Sequence, residues 1–361
     1  MVKHRKTIEN LEPYRPGKPI SEVQRELGLT DVVKLASNEN PLGCSPKAVE
    51  AIIEWTKGVA LYPDGNCTEL RNALASKFNL KPSQFLFGAG TDQILEIIAQ
   101  TFINPGDQTI TGWPSFSRYE AVTRIMDGTI VKVPLTDDYR LDLDAFLDNI
   151  NDNTRIIWVC NPNNPTGTII TEQEQREFLK RIPDNILVVL DEAYYEYVQN
   201  PDYPKSVELL NEYDNIIILR TFSKIYGLAG LRIGYAISNE NTIEYLNRVR
   251  GPFNANAAAQ VAALAALNDQ DFVRDSIKVN QEGKQYLYKA FEDMGLEYIP
   301  AYGNFVMVDV GKDSVQVFKD LLHKGVIVRS GDIFNMDNWL RITIGTPEQN
   351  TALINALKSV L

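Results

Sequence analysis

Four apolar runs, residues 156–159, 187–190, 216–219 and 234–237, recur along the chain with longer segments between them, and they restrict the fold more than any other feature. They are short, rich in β-forming side chains and free of polar alternation. A strand with one face in water alternates apolar and polar residues. Continuous apolar runs instead predict strands covered on both faces, as in a mostly parallel sheet flanked by helices. The region before them fits the same plan, with helical patterns at 46–57, 68–78, 92–103 and 115–125 and strands at 85–87 and 108–111. The expected fold class is α/β.

The length of 361 residues exceeds one ordinary core and predicts a large domain with a smaller companion. An alanine-rich stretch at 255–267, a long helix over 271–294, and strands near 304–310 and 340–344 with a helix between them read as a smaller α+β domain. The first forty residues carry Pro13, Pro16, Gly17 and Pro19 around one short helical stretch at 22–27, and read as an arm. The expected division is an arm over 1–40 that joins the small domain, a large domain over 41–252 and a small domain over 253–361.

A formal charge of -11 argues against a nucleic-acid partner, because phosphate backbones reward basic faces. Cys44, Cys67 and Cys160 are widely separated, with no CxxC pair, which fits reduced thiols in the cytoplasm rather than a disulfide framework or zinc site. No apolar segment follows the basic N-terminus, and the longest buried run, 186–190, is too short to span a bilayer, so neither export nor membrane insertion is expected.

Four segments carry chemistry. RTFSKIYGLAGLRIG, at 220–234, puts Lys224 at the carboxyl end of a strand, between the hydroxyls of Thr221 and Ser223 and a glycine-rich turn ending in Arg232. Ligands of open α/β sheets sit at that edge. A lysine there can form a Schiff base with an aldehyde, and the hydroxyls and the forked donors of Arg232 can hold a phosphate. Gly88-Ala89-Gly90-Thr91-Asp92 joins a strand to an amphipathic helix; its amides can bind an anion, or Thr91 can serve as an ordinary N-cap. Asn161-Pro162-Asn163-Asn164-Pro165-Thr166-Gly167 is a stiff loop at the same edge, suited to fixing the amide of Asn164. Asp191 ends a fully apolar run and is followed by Tyr194. A buried carboxylate needs a cationic partner, either a protonated heterocycle nitrogen or a metal. Since the only histidines, His4 and His323, lie far away in sequence, a metal would rest on carboxylates alone.

Pyridoxal phosphate has an aldehyde, a ring nitrogen, a ring hydroxyl and a phosphate, which match these groups. The order NNPTG, DEAY, TFSK, with Arg232 eight residues beyond Lys224, resembles the fold-type I, class II pyridoxal-phosphate-dependent aminotransferases over nearly the whole chain. LASNENP at 35–41, LYPDG at 61–65, the Gly88 loop, GLAGLRIGY at 227–235 and LRITIGT at 340–346 resemble the histidinol-phosphate aminotransferases within that class.

The resemblance implies a PLP-dependent transferase fold of type I. It implies that Lys224 binds the cofactor aldehyde and carries the proton to and from the substrate, that Asp191 keeps the ring nitrogen protonated, and that Asn164 and Tyr194 meet the ring hydroxyl. Phe116 would stack on the ring, where family members often carry tyrosine. Gly90, Thr91, Asp92, Thr221, Ser223 and Arg232 would hold the phosphate, with Tyr62 reaching in from the other subunit of a homodimer. Arg341 would grip the substrate's anionic group, helped by Arg329, Tyr14 and Asn40. No metal is implied. The family loop GNGSDE reads here as Gly-Ala-Gly-Thr-Asp-Gln, so any side-chain contact from the position of Ala89 is lost while backbone contacts survive.

The activity implied is amino transfer from L-histidinol phosphate to 2-oxoglutarate, giving imidazole-acetol phosphate and glutamate in histidine biosynthesis. An aromatic amino acid transaminase, or an enzyme with both activities, is the alternative. A pyridoxal-phosphate decarboxylase or a noncatalytic cofactor-binding regulator is more distant.

Overall fold

The computed structural model describes residues 2–9, 11, 13 and 17–361. After β1 (Val33–Lys34), seven strands build the main sheet: β2 (Phe85–Gly88), β3 (Gln108–Trp113), β4 (Thr129–Pro134), β5 (Thr154–Cys160), β6 (Leu187–Asp191), β7 (Ile216–Thr221) and β8 (Gly234–Ile237). Their order is β2-β8-β7-β6-β5-β3-β4. All neighbours pair in parallel except β8, which is antiparallel to both β7 and β2. The exception has a simple cause. Between Thr221 and Gly234 the chain has only a turn and a short 3-10 helix, too little for the crossover that a parallel connection requires.

The apolar runs behave as two-sided strands. Ile157, Val159, Val188, Leu190, Ile216 and Ile218 enter one core, while Ile156, Trp158, Leu187, Val189, Ile217 and Leu219 enter the other. This is the period-2 alternation of a pleated strand with both faces covered. The helix Gly90–Phe102 lays Ile94, Leu95 and Ile98 on the second face.

The remaining strands are β9 (Tyr298–Ile299), β10 (Phe305–Asp309), β11 (Val326–Ile327), β12 (Arg329–Ser330) and β13 (Trp339–Thr343). A four-stranded sheet runs β12-β13-β10-β9, and β1 pairs in parallel with β11. Leu35 sits in the core of this smaller unit with Val306, Leu340 and Leu353. One division differs from the expected boundary at 253. Ala259, Ala262, Ala263 and Ala266, on the helix Ala257–Leu267, share the main core with Leu70 and Phe85. Small side chains let this helix pack closely against Pro46–Trp55, so it belongs to the larger body. The helix Gln270–Asp293 bridges the two, with Val273 in the main core and Leu287 and Phe291 in the smaller one. No helix among the described residues is long and apolar enough to cross a membrane.

Candidate active site

Because β2, β5, β6 and β7 run the same way, their carboxyl ends converge on one edge of the sheet. That edge receives the helix Gly90–Phe102 after β2, the Asn161–Gly167 loop after β5, Asp191 at the end of β6 and Thr221 at the end of β7. One cavity there is lined by Lys224, Asp191, Tyr194, Asn164 and Phe116. Thr91, Asp92, Thr221, Ser223 and Arg232 line the same cavity, and Arg329 and Arg341 border it from the smaller sheet. Residues as far apart in sequence as Gly17 and Arg341 therefore meet at one place.

The anion end is built from backbone and guanidinium. The first helix residue is Gly90, and Ala89, in the N-cap position, makes no side-chain capping bond, which excludes the ordinary N-cap role for Thr91. Gly90 has φ +76° and lies against Arg232, whose guanidinium a Cβ at that position would overlap. Arg232 donates to Ser223 Oγ at 3.3 Å and to Asp92 Oδ2 at 3.2 Å. Gln93, at a departure from the family loop, accepts from the Ala89 amide and from Asn254, both at 2.8 Å, and so braces the turn.

At the centre, burial lowers the pKa of the Lys224 amine to about 8, with the charge of Arg341 adding to the effect. Its Nζ donates to the Ser37 carbonyl at 3.3 Å and stands 5.6 Å from the centre of the Tyr194 ring. Burial acts on Asp191 in the opposite sense, raising its carboxyl to about 6 against the pull of hydrogen bonds from the Tyr119 hydroxyl at 2.8 Å and the Ala193 amide at 3.2 Å. Desolvation also holds the Tyr194 phenol above its ordinary value, so it remains a neutral donor. Arg341 donates to Asn164 Oδ1 at 2.6 Å and to the Ala36 carbonyl at 2.9 Å, which leaves the Asn164 NH2 as that side chain's remaining donor.

Two expected residues stand apart. Asn40 does not line the cavity: its amide donates to the Ile225 carbonyl at 2.7 Å and Ser276 Oγ at 2.8 Å, and its oxygen accepts from Leu42 at 3.0 Å. Its polar atoms are thus committed to joining the arm to the main body. The neighbouring asparagine of the same motif, Asn38, lines the cavity instead and donates to the Tyr194 hydroxyl at 2.9 Å. Tyr62 is 82% exposed, stacked on Phe253 and outside the cavity of its own chain. Tyr14 lies outside the described residues. Sequence reasoning also missed Tyr119, which reads there as one more aromatic on the buried face of a helix.

The donor set fits pyridoxal phosphate. Arg232, the Ser223 hydroxyl and the uncapped helix start offer positive charge and donors to a phosphate, Asp191 offers a carboxylate to a ring nitrogen, and Lys224 offers a weakly basic amine to an aldehyde. No cluster of three or more His, Cys, Asp or Glu side chains among the described residues is arranged to hold a metal.

The sheet, the lysine after β7 and the arginines of the smaller sheet define an aminotransferase. In agreement, the sequence profile of the aminotransferase class I and II family matches residues 30–357. A histidinol-phosphate aminotransferase of Caldicellulosiruptor saccharolyticus is 56% identical over 357 residues, covering 99% of both chains. One from Moorella thermoacetica is 54% identical, covering 99% of this chain and 93% of its own. The chain belongs to the histidinol-phosphate aminotransferase family. The crystal structure of the Sinorhizobium meliloti histidinol-phosphate aminotransferase, in complex with pyridoxal-5'-phosphate, superposes with a TM-score of 0.90 at 28% identity, covering 100% of this chain and 98% of the other. Aspartate aminotransferase from Thermus thermophilus shares the fold at 22% identity, with a TM-score of 0.87 over the full length of both chains.

Proposed function

We propose that this aminotransferase moves the amino group of L-histidinol phosphate to 2-oxoglutarate, giving imidazole-acetol phosphate and glutamate for histidine biosynthesis in the cytoplasm. The observation that carries this reading is one cavity in which an amine, a carboxylate and an anion cradle match pyridoxal phosphate, with Arg329 and Arg341 beside them for a second anionic group. When bound, that cofactor supplies an electron sink for the substrate's α-carbon.

The chain's own side chains do the rest. The backbone amides of Gly90, Thr91 and Asp92 at the helix start, with Thr221, Ser223 and Arg232, hold the phosphate. Asp191 holds a proton on the ring nitrogen, and Asn164 and Tyr194 donate to the ring hydroxyl while Phe116 covers a ring face. Lys224 Nζ takes the α-proton and returns it, a role its burial suits, because a base works best with a pKa close to the working pH. Arg341 and Arg329 receive the phosphate ester of one substrate and the carboxylate of the other. A neighbouring cavity, which shares Phe116 and both arginines and adds Ile333 and Phe334, offers an apolar wall to a flat ring. That wall favours aromatic amino acids as a second class of donor.

The active species is a homodimer with Tyr62 contributed across the interface. Ile53, Val59, Leu61 and Tyr62 are 63%, 68%, 76% and 82% exposed within a short stretch of chain, and apolar side chains in that number are normally covered by a partner.

Mixing the cofactor-loaded protein with L-histidinol phosphate or with L-phenylalanine, and following the cofactor's absorbance, tests the donor. Faster conversion by histidinol phosphate, reversed by 2-oxoglutarate, supports the reading. Conversion by phenylalanine alone would reject the proposed substrate.

A further inference from the structure

Asp191 has two oxygens with unequal partners. Oδ2 accepts from the Tyr119 hydroxyl at 2.8 Å, whereas Oδ1 has only a longer bond from the Ala193 amide at 3.2 Å. Tyr119 is itself fully buried, and its ring is clamped: it stacks on Trp158 with centroids 5.4 Å apart and 6° between planes, and meets the edge of Phe116 at 5.6 Å. Such a clamp fixes the direction from which the hydroxyl reaches the carboxylate.

We propose that Tyr119 is a positioning residue for amino transfer, holding Oδ2 of Asp191 so that the carboxylate stays ionised and presents Oδ1 to the cofactor's ring nitrogen. The proposal rests on the reading that Asp191 meets that nitrogen. Burial keeps the Tyr119 phenol protonated far above neutral pH, so it acts as a donor throughout the working range.

The other groups facing Asp191 do not replace it. Cys160, pushed up to about 12, and Tyr194 are neutral. Asp92 and Glu192 oppose the ionised form, although Arg232 and Arg220 respectively pair with them. The donors that favour the carboxylate are thus Tyr119 and the Ala193 amide. Removing the phenol hydroxyl therefore raises the Asp191 pKa above its value of about 6.

The experiment is equilibrium binding of pyridoxal phosphate to the cofactor-stripped protein, measured by equilibrium dialysis between pH 5 and 8. It compares the wild type with Y119F, W158F and D191N. Y119F keeps the stacked ring and should bind roughly ten- to hundredfold more weakly near pH 6, the size of one hydrogen bond to a charged group. Its loss of affinity on acidification should begin at higher pH than in the wild type. W158F disturbs the same stack but retains the phenol, and should leave that acid limb unmoved. D191N should bind weakly and lose the limb.

A wild-type affinity and acid limb in Y119F, alongside weak binding by D191N, would overturn the proposal while leaving the role of Asp191 intact. An equal displacement of the limb in W158F would overturn it as well, by assigning the effect to packing. Wild-type binding by D191N would remove the role of Asp191 and this proposal with it.

Discussion

Replacing Gly90 by alanine tests the anion cradle at its tightest point. Two costs arise from different causes. The first is conformational: at φ +76° an L side chain sits in the left-handed region, a penalty of roughly 1–2 kcal/mol. The second is steric. The added Cβ overlaps the Arg232 guanidinium, which is the flexible end of a side chain and can swing away, but only by leaving Asp92 and Ser223. In the cofactor-free protein that loss matters little, since Arg232 and Asp92 are both about half exposed and such pairs contribute at most about 1 kcal/mol.

In the loaded protein the displaced guanidinium no longer reaches the phosphate. One charge-assisted hydrogen bond is worth about 1.5–3 kcal/mol, or roughly ten- to hundredfold in affinity. Urea unfolding of the cofactor-free protein should therefore show about 1–2 kcal/mol of destabilisation, the conformational part alone. Titration with pyridoxal phosphate should show the larger affinity loss. Gly230→Ala is the control, because a Cβ there meets nothing within 4 Å. Wild-type cofactor affinity in G90A would refute the argument, whatever happened to stability.

Other substitutions probe separate parts of the site. Lys224→Ala should retain cofactor and amino substrate yet lose turnover by roughly a hundredfold or more, the scale of general acid–base catalysis, as measured by single-turnover absorbance. Arg220→Ala should cost about 3–5 kcal/mol in urea unfolding, because Glu192 is 1% exposed and accepts two hydrogen bonds from this guanidinium. An aspartate at Ile53 should shift the protein towards monomers in analytical ultracentrifugation while leaving the secondary structure seen by circular dichroism unchanged. Capture of pyridoxal phosphate by the stripped protein should accelerate as pH rises through about 8 and level off above it, since Lys224 attacks an aldehyde only as the neutral amine. A rate independent of pH in stopped-flow absorbance would contradict that assignment.

What could be read from sequence follows from what each feature depends on. Strands covered on both faces announce themselves as apolar runs, and a lysine, aspartate or asparagine placed directly after such a run is delivered to the carboxyl edge by topology alone. Four residues that line the cavity, Asn164, Asp191, Thr221 and Lys224, were legible for that reason. Asn38 and Asn40 were not separable. They sit two positions apart in an irregular segment where no period sets direction, and only the bond from Asn38 to Tyr194, 156 residues away, decides which one faces the cavity. Tyr119 left no signal because its hydroxyl meets Asp191 across the sheet, while its ring satisfies the pattern of a helix buried against Trp158. The strand β4 has a mixed burial pattern at the sheet edge and so lacks the apolar run that marked the inner strands. The alanine-rich helix carried no clue to which core it joins, since small side chains fit either.

The opposite pKa shifts of Lys224 and Asp191 share one cause and one consequence. Desolvation penalises whichever form is charged, so it drives the amine down to about 8 and the carboxyl up to about 6, bringing both towards neutrality before any cofactor is present. A carboxylate buried in this way is stabilised by a protonated ring nitrogen, which returns its pKa towards the usual range. The anion cradle works by the same exchange: Arg232 is paired with Asp92 at 3.2 Å, and an arriving phosphate competes with that carboxylate for the guanidinium. One end of the cavity thus holds a desolvated carboxylate, and the other a guanidinium whose ion pair is about half exposed. A ligand satisfies both only by bringing a protonated nitrogen and a phosphate at once. That requirement selects for the intact cofactor over pyridoxal, which lacks the phosphate, and over inorganic phosphate, which lacks the ring.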